Sequence, residues 1–119
     1  MITSTHVIIY ADDAEAARTF FRDVLDLPNV DAHDGWLIFK LPPAELGIHP
    51  AGGGVAGGGH ELYLMCDDVE ETIAELGAKG VEVASGIEEA GFGRLARIKV
   101  PGAGTIGLYE PRHATAWEL

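Results

Sequence analysis

The stretch His6-Val-Ile-Ile-Tyr-Ala-Asp-Asp-Ala-Glu-Ala-Ala-Arg-Thr-Phe-Phe21 returns later in the chain as Glu61-Leu-Tyr-Leu-Met-Cys-Asp-Asp-Val-Glu-Glu-Thr-Ile-Ala-Glu-Leu76. Each copy is a short apolar run, then a pair of aspartates, then apolar residues at helical spacing. The two aspartate pairs begin at Asp12 and Asp67, 55 residues apart. A repeat of this length indicates two similar supersecondary units, because each unit needs its partner to bury an apolar face.

The bulk composition limits the class of protein. A chain of 119 residues forms one domain, or two half-domains that share one core. Its 8 basic and 19 acidic residues give a formal net charge of -11. This charge argues against nucleic acid and against an anionic membrane surface as partners, since both are bound by clustered Lys and Arg. We expect a well-solvated acidic surface.

The chain also lacks signals for a membrane or secreted location. No apolar run reaches the roughly 18 residues of a membrane-spanning helix. The N-terminus does not show a basic region followed by an apolar one, so a secretory signal is not expected. We therefore expect a cytoplasmic protein. Cys66 is the single cysteine, so no internal disulfide forms, and we expect it to pack as a small apolar side chain.

The first copy predicts the element order β-α-β-β-β. Residues 5–11 are rich in β-branched side chains and predict a strand. Asp12 or Asp13 is a good N-cap for a helix that runs to about Leu25, before Pro28 ends it. Further strands are predicted at residues 30–33, 36–41 and 45–49.

Between the copies, residues 50–59 contain six glycines. A glycine-rich phosphate loop is one interpretation, but no Gly-Lys-Ser/Thr follows, and the segment leads into a strand rather than a helix. We favour a flexible linker.

The second copy predicts the same order. A strand at 61–66 leads to a helix at 69–79, which Gly80 ends. Three more strands and a connecting loop follow, with strands at 81–84, 95–100 and 105–109 and an acidic loop at 85–93. The predicted domain organisation is therefore one domain, with module one at 5–50, a linker at 51–59, module two at 60–111 and a weakly structured tail at 112–119.

Two segments carry a resemblance to a known family. They are Thr5-His-Val-Ile-Ile-Tyr-Ala-Asp12 with Phe20-Phe-Arg-Asp-Val-Leu25, and Val100-Pro-Gly-Ala-Gly-Thr-Ile-Gly-Leu-Tyr-Glu-Pro111. Together with the β-α-β-β-β repeat over residues 5–111, they resemble the vicinal oxygen chelate superfamily of glyoxalases, extradiol dioxygenases and bleomycin-resistance proteins. The resemblance implies an α+β fold in which two βαβββ modules form a curved open sheet, a half-barrel, around a cleft. It also implies a small-molecule ligand in the cleft, often a divalent metal, and a homodimer.

Strand alternation predicts which side chains face that cleft. Val7, Ile9, Leu62 and Leu64 should pack under the helices, and Ile106 and Leu108 should join the core. The opposite faces should present His6, Tyr10, Glu45, His49, Glu61, Tyr63, Thr105, Gly107 and Tyr109. The predicted ligand-binding residues are Tyr10, Trp36, His49, Tyr63 and Tyr109. Aromatic rings with polar tips suit an aromatic or heterocyclic ligand, and ordinary core packing is the alternative.

The resemblance implies up to four metal-ligand positions. The first three match His6, Glu45 and Glu61, and a one-residue bulge would turn His60 inward in place of Glu61. The fourth, usually a glutamate, matches Gly107, so that carboxylate is missing. One imidazole and two carboxylates suit a divalent ion such as Mn, Fe, Ni or Zn. A cleft without metal, lined by hydrogen-bonding side chains, is the alternative.

The resemblance leaves three functions open. The first is a divalent-metal-dependent lyase or isomerase of glyoxalase type on a small oxygenated substrate, in which Glu45 or Glu61 moves the proton. The second is a metal-free binder of the bleomycin-resistance type, for which the acidic surface suits a cationic ligand. The third is a silent domain that only dimerises. Three basic residues of one strand either meet a ligand carboxylate or pair with surface acids, namely Arg94, Arg97 and Lys99.

Overall fold

A computed structural model describes residues 1, 4, 6–52, 54, 56–117 and 119. The first half holds α1 (Ala14–Thr19), a π-helical segment (Phe20–Val24), β1 (Asn29–Asp31) and β2 (Leu37–Phe39). The second half holds β3 (Tyr63–Met65), α2 (Val69–Ala78), β4 (Val83–Ala90), β5 (Gly93–Lys99) and β6 (Thr105–Pro111). The fold is α+β with an open mixed sheet, as predicted.

Both helices begin at the second aspartate of the repeated pair. The Asp13 carboxylate accepts a hydrogen bond from the Ala16 N–H at 3.0 Å, and Asp68 accepts one from Glu71 N–H at 3.1 Å. Such a cap satisfies an otherwise unpaired N–H, and its loss typically costs about 1 kcal/mol. Within the described residues, neither helix has the length and apolar character needed to cross a bilayer.

The main sheet has the strand order β3-β6-β5-β4, with β3 parallel to β6 and the other pairs antiparallel. One face of this sheet carries the core. The buried hydrophobic residues come from both halves of the chain: Ala17, Phe20, Phe21, Val69, Ala96, Ile98, Val100, Ile106 and Leu108. The core is therefore shared by both halves of the chain, as expected for a domain of this size.

In module two, the predicted alternation is confirmed. Ile106 and Leu108 are buried in the core, and Leu62 and Leu64 pack against it. Cys66 also packs there, and burial raises the pKa of its thiol. The residues between them on the same strands face the opposite side, which we call the cleft face.

In module one, two predicted strands are wrong. Residues 6–11 and 45–49 form no strand, and Thr5 lies outside the described residues. Val7 and Ile9, predicted to pack under the helix, are 52% and 36% exposed. The physical reason is that β-branched composition favours a strand only where a neighbouring strand supplies hydrogen bonds and packing. In the described part of the chain, β1 and β2 pair only with each other.

The predicted acidic loop at 85–93 is also wrong. Strand β4 continues through Ala90 and pairs with β5, with register shifts between Val83 and Ser85 and between Ser85 and Glu88. Glycine and acidic residues had indicated a loop. The irregularities of a bulged strand accommodate these residues without ending the pairing.

Candidate functional site

Three residues form one row across the cleft face. Tyr63 on β3 lies opposite Gly107 on β6, which lies opposite Arg97 on β5. Because Gly107 has no side chain, the Tyr63 ring lies over it, and a Cβ at position 107 would overlap the ring carbons. The glycine thus lets the tyrosine ring lie down across the sheet toward Arg97.

Arg97 is held in a fixed orientation. Its guanidinium carbon lies 5.8 Å from the centre of the Tyr63 ring, within the range of a cation–π contact. Its Nε donates a hydrogen bond to Thr105 Oγ1 at 3.0 Å, and Nη2 donates to the Thr105 carbonyl at 3.3 Å. These contacts leave the far edge of the guanidinium without a hydrogen-bond partner among the described residues.

The Tyr63 hydroxyl contacts a carboxylate. It donates a hydrogen bond to Glu61 Oε2 at 2.8 Å. Burial raises the pKa of the Tyr63 hydroxyl, the Glu61 carboxylate adds to the rise, and Arg97 opposes it. Tyr63 therefore stays protonated at neutral pH, and Glu61 is engaged as its acceptor.

Tyr63 continues into a wider aromatic surface. The centres of the Tyr63 and Tyr109 rings are 6.1 Å apart, and those of Phe92 and Tyr109 are 6.0 Å apart, both edge to face. The Tyr109 hydroxyl donates to the Phe92 carbonyl at 3.1 Å. Burial raises the pKa of Tyr109, and the charge of Glu45 adds to the rise. We call Tyr63, Tyr109 and Phe92 the aromatic surface.

The C-terminal tail binds Glu45. The Ala116 N–H donates to Glu45 Oε2 at 2.8 Å, and His113 Nε2 lies 3.5 Å from Glu45 Oε1. The His113 ring also packs on Tyr109 at 5.7 Å. Arg112 anchors the start of the tail, since its Nη1 lies 2.7 Å from a Glu89 oxygen. The tail thus ties module one to the edge of the aromatic surface.

The structure brings together only part of the predicted site. Glu61 contacts Tyr63, which packs on Tyr109, and Glu45 is close enough to affect Tyr109 electrostatically. The other predicted site residues are exposed, namely His6, Tyr10, Trp36, His49 and His60. Tyr10 and Trp36 are 90% and 58% exposed, and His49 Nδ1 lies 2.8 Å from the neighbouring Pro50 carbonyl oxygen.

Sequence reasoning missed Phe92 and His113, and it left the role of Arg97 open. Phe92 lies between Gly91 and Gly93 in the turn after β4, where an apolar ring among glycines was an unused signal. Nothing in the sequence around His113 indicated a role in the site, because its contact with Tyr109 depends on how the C-terminal tail folds back.

A small hollow lies beside Tyr63 at the bulged part of β4. Its volume is about 80 Å³, and Ser85, Glu88 and Arg97 contribute to its wall. A larger open groove of about 490 Å³ lies elsewhere, along α1. Two carboxylates on its rim are already engaged, since Asp13 caps the helix and Asp23 pairs with Arg22.

Comparison with known proteins identifies the family. The model of the Glyoxalase/Bleomycin resistance protein/Dioxygenase superfamily matches residues 3–113. The chain belongs to this superfamily. No curated protein matches this chain.

Several solved structures share this fold. TnmS3, an antibiotic binding protein from Streptomyces sp. CB03234, is 26% identical, with 93% of this chain and 99% of that chain covered and a TM-score of 0.62. A lactoylglutathione lyase from Agrobacterium tumefaciens is 22% identical, with 90% and 95% covered and a TM-score of 0.58. A superfamily member from Sphaerobacter thermophilus DSM 20745 is 19% identical, with 91% and 97% covered and a TM-score of 0.62.

The arrangement of residues does not fit the divalent metal that the superfamily resemblance implies. The Tyr63 ring fills the space in which a ligand side chain at position 107 would stand. The predicted ligands are not gathered at one point, and the described residues contain no group of three His, Cys, Asp or Glu side chains able to hold an ion. The metal role of His6, His60, Glu45 and Glu61 stays a prediction.

Proposed function

We propose that this protein binds a small planar aromatic or heterocyclic molecule on its aromatic surface, without a metal. The observation that carries the proposal is the Tyr63 ring lying over Gly107. The position that the family resemblance assigns to a metal-binding glutamate is taken by an aromatic side chain from the neighbouring strand. A ring in that place offers stacking area to a ligand, whereas a carboxylate would offer coordination.

The composition of the surface suits such a ligand. Small-molecule sites are mostly apolar and aromatic, with a few fixed polar groups that orient the ligand. Tyr63, Tyr109 and Phe92 supply the apolar wall, and Arg97 and Glu61 supply polar groups at its edge. The relative TnmS3 is an antibiotic binding protein, which supports the same class of function for this chain.

A metal-dependent lyase or isomerase of glyoxalase type is the second candidate. One observation favours catalysis, namely the Glu45 carboxylate 3.5 Å from the His113 imidazole beside Tyr109. A carboxylate and an imidazole in contact are able to move a proton. The predicted catalytic roles of Glu45 and Glu61 belong to this candidate, in which Glu61 would first have to release Tyr63.

Two measurements separate these candidates. The first is the binding of 2-naphthamide, a neutral planar probe, followed by the shift of the thermal midpoint. We expect wild type to bind it, and Tyr63→Leu to lose the binding. Phe39→Leu is the matched control, because it removes a ring that packs on Phe21 away from the aromatic surface. It should lower the midpoint but keep the probe affinity.

The second measurement is the metal content of protein purified without an affinity tag. We expect less than stoichiometric divalent metal in wild type. Stoichiometric metal that disappears in His6→Ala, together with no 2-naphthamide binding, would contradict the proposed function and support the metal-dependent enzyme.

We further propose that the protein is a homodimer, located in the cytoplasm. Several large apolar side chains of module one are exposed, including Ile8 at 63%, Leu46 at 85% and Ile48 at 88%. Exposed apolar patches of this kind are usually covered by a partner, and a second copy of the same chain is the commonest partner. The net charge of -11 supports a protein without nucleic-acid or membrane partners.

A further inference from the structure

We propose that Arg97 makes the cleft selective for planar aromatic anions, with the negative group of the ligand placed against its guanidinium. This inference rests on the proposed function, since the ring of the ligand would lie against the aromatic surface. It replaces the expectation from composition, which favoured a cationic ligand because of the acidic surface.

The first support is that Arg97 has no carboxylate partner among the described residues. Ion pairs with carboxylates occupy five of the eight basic residues, namely Arg22, Lys79, Arg94, Lys99 and Arg112. Arg94, three residues earlier on β5, lies near three carboxylates. The chain has 19 acidic residues, and Arg97 forms no ion pair with any of those that the structure describes. Its guanidinium is therefore available to bind the anionic group of a ligand.

The second support is the fixed geometry of Arg97. Thr105 accepts two of its hydrogen bonds, and its guanidinium carbon lies over the Tyr63 ring, 5.8 Å from the ring centre. The guanidinium edge that stays free carries N–H groups in a rigid plane, which suits two parallel hydrogen bonds to a carboxylate. Little side-chain entropy remains to be lost when an anion binds, because the arginine is already held.

The third support is the hollow beside Arg97. Its volume of about 80 Å³ is too small for an aromatic ring. Since a water molecule takes about 30 Å³ in the liquid, the hollow suits a group of the size of a carboxylate. Ser85 offers a hydroxyl on its wall, and the register shifts of β4 near Ser85 give the wall its shape. Glu88 also lines the hollow, so a cation bound to Glu88 is the competing chemistry.

The test compares three probes of one shape, which are 2-naphthoate, 2-naphthamide and 2-naphthylmethylammonium. Dissociation constants are measured by isothermal titration calorimetry at one low salt concentration, because salt screens the charge. We expect 2-naphthoate to bind wild type at least about tenfold more tightly than the amide, as a charge-assisted hydrogen bond predicts. The ammonium probe should bind most weakly.

Variants then assign the preference to Arg97. Arg97→Gln should bind the anionic and neutral probes about equally, and Arg97→Lys should keep part of the preference because it keeps the charge but loses the planar edge. The matched control is Arg18→Gln on α1, which changes the net charge equally and makes no ion pair with the described residues. It should keep the wild-type preference.

The outcomes distinguish this inference from the proposed function. Equal affinity of wild type for 2-naphthoate and 2-naphthamide overturns the anion selectivity and leaves the aromatic binding site standing. Tightest binding of the ammonium probe overturns it in favour of Glu88, and an equal loss of preference in Arg18→Gln overturns it in favour of overall charge. Failure of all three probes to bind overturns the proposed function and the inference together.

Discussion

Two tyrosines of the cleft face each rest against a glycine that has no room for a side chain. Tyr63 covers Gly107, and the Tyr109 ring lies against the position of a Cβ at Gly93. Glycine lacks a side chain to pack in a strand, so a buried glycine there usually marks a close approach by another group. At Gly107 the group that approaches is the Tyr63 ring, and at Gly93 it is the Tyr109 ring together with the Glu110 carbonyl oxygen.

Gly107→Ala should therefore destabilise the protein by about 1–3 kcal/mol, as overpacking of a filled space does. It should also weaken 2-naphthamide binding, because the Tyr63 ring has to move. Chemical denaturation measures the free energy of unfolding. Gly47→Ala is the control, since a Cβ at Gly47 meets nothing within 4 Å.

A double substitution checks the cause. In Tyr63→Ala, the ring is gone, so adding Gly107→Ala should cost much less than it does in wild type. An equal cost in both backgrounds would show that the ring is not the obstacle.

The raised pKa of Tyr63 predicts how stability depends on alkaline pH. Its folded-state pKa lies above the unfolded value, so the folded protein holds its proton more strongly than the unfolded chain does. The associated stability is present below the unfolded pKa, near 10, and is lost as the pH rises toward the folded pKa. Thermal midpoints between pH 8 and about 11 should fall more steeply in wild type than in Tyr63→Phe. Parallel curves for the two proteins would contradict the assignment.

For individual residues, the sequence predicted which face of the sheet a side chain lies on, but not which other side chains it contacts. Alternation along a strand is local, so it placed Tyr63, Gly107 and Tyr109 on one face correctly. The contact between Tyr63 and Arg97 depends on the register of three strands, and the chain alone does not give that register. The hydrogen bonds from Arg97 to Thr105 depend on the same register.

Among the elements, module two follows its prediction more closely than module one. Its strands and helix occur in the predicted order, because turn residues separate them and each strand finds a neighbour. Residues 6–11 and 45–49 have equally favourable composition but no pairing in the described chain. Local pattern predicts the tendency to form a strand, whereas the pairing is a property of the assembled sheet.

The tail offers a test at the same scale. Glu45→Ala removes the acceptor of the Ala116 N–H and the partner of His113. The tail should then open more often, and trypsin should cut after Arg112 about fivefold faster, as the loss of about 1 kcal/mol of local stability predicts. Mass spectrometry of a digestion time course identifies the cut.

Glu75→Ala, on the exposed side of α2, is the control and should digest like wild type. Digestion of Glu45→Ala at the wild-type rate would show that other contacts, such as that of Arg112 with Glu89, hold the tail.

For the whole molecule, the core contains residues from both halves of the chain, and several apolar side chains of module one are exposed. Phe20 and Phe21 join the module-two core, whereas Ile8, Leu46 and Ile48 are exposed. The repeat in the sequence predicted two modules of one fold, and the superfamily match confirms that fold. The repeat did not predict which apolar residues are exposed. The amino-acid composition of a segment is the same whether or not another part of the structure covers it.

If a second copy covers this area, wild type should elute as a dimer in size-exclusion chromatography with light scattering at tens of micromolar. Leu46→Glu should shift it toward monomer, since a buried unpaired charge costs several kcal/mol. Ala78→Glu, an equal change of charge at an exposed position of α2, should leave the dimer intact. A monomeric wild type, or a dimer unaffected by Leu46→Glu, would contradict the proposed homodimer.

The overlap between Tyr63 and position 107 also couples these two positions during evolution. A larger residue at 107 requires the ring at 63 to move or to be lost, and either change would disturb the proposed binding surface. We therefore expect the effects of substitutions at 63 and 107 on stability to depend on each other.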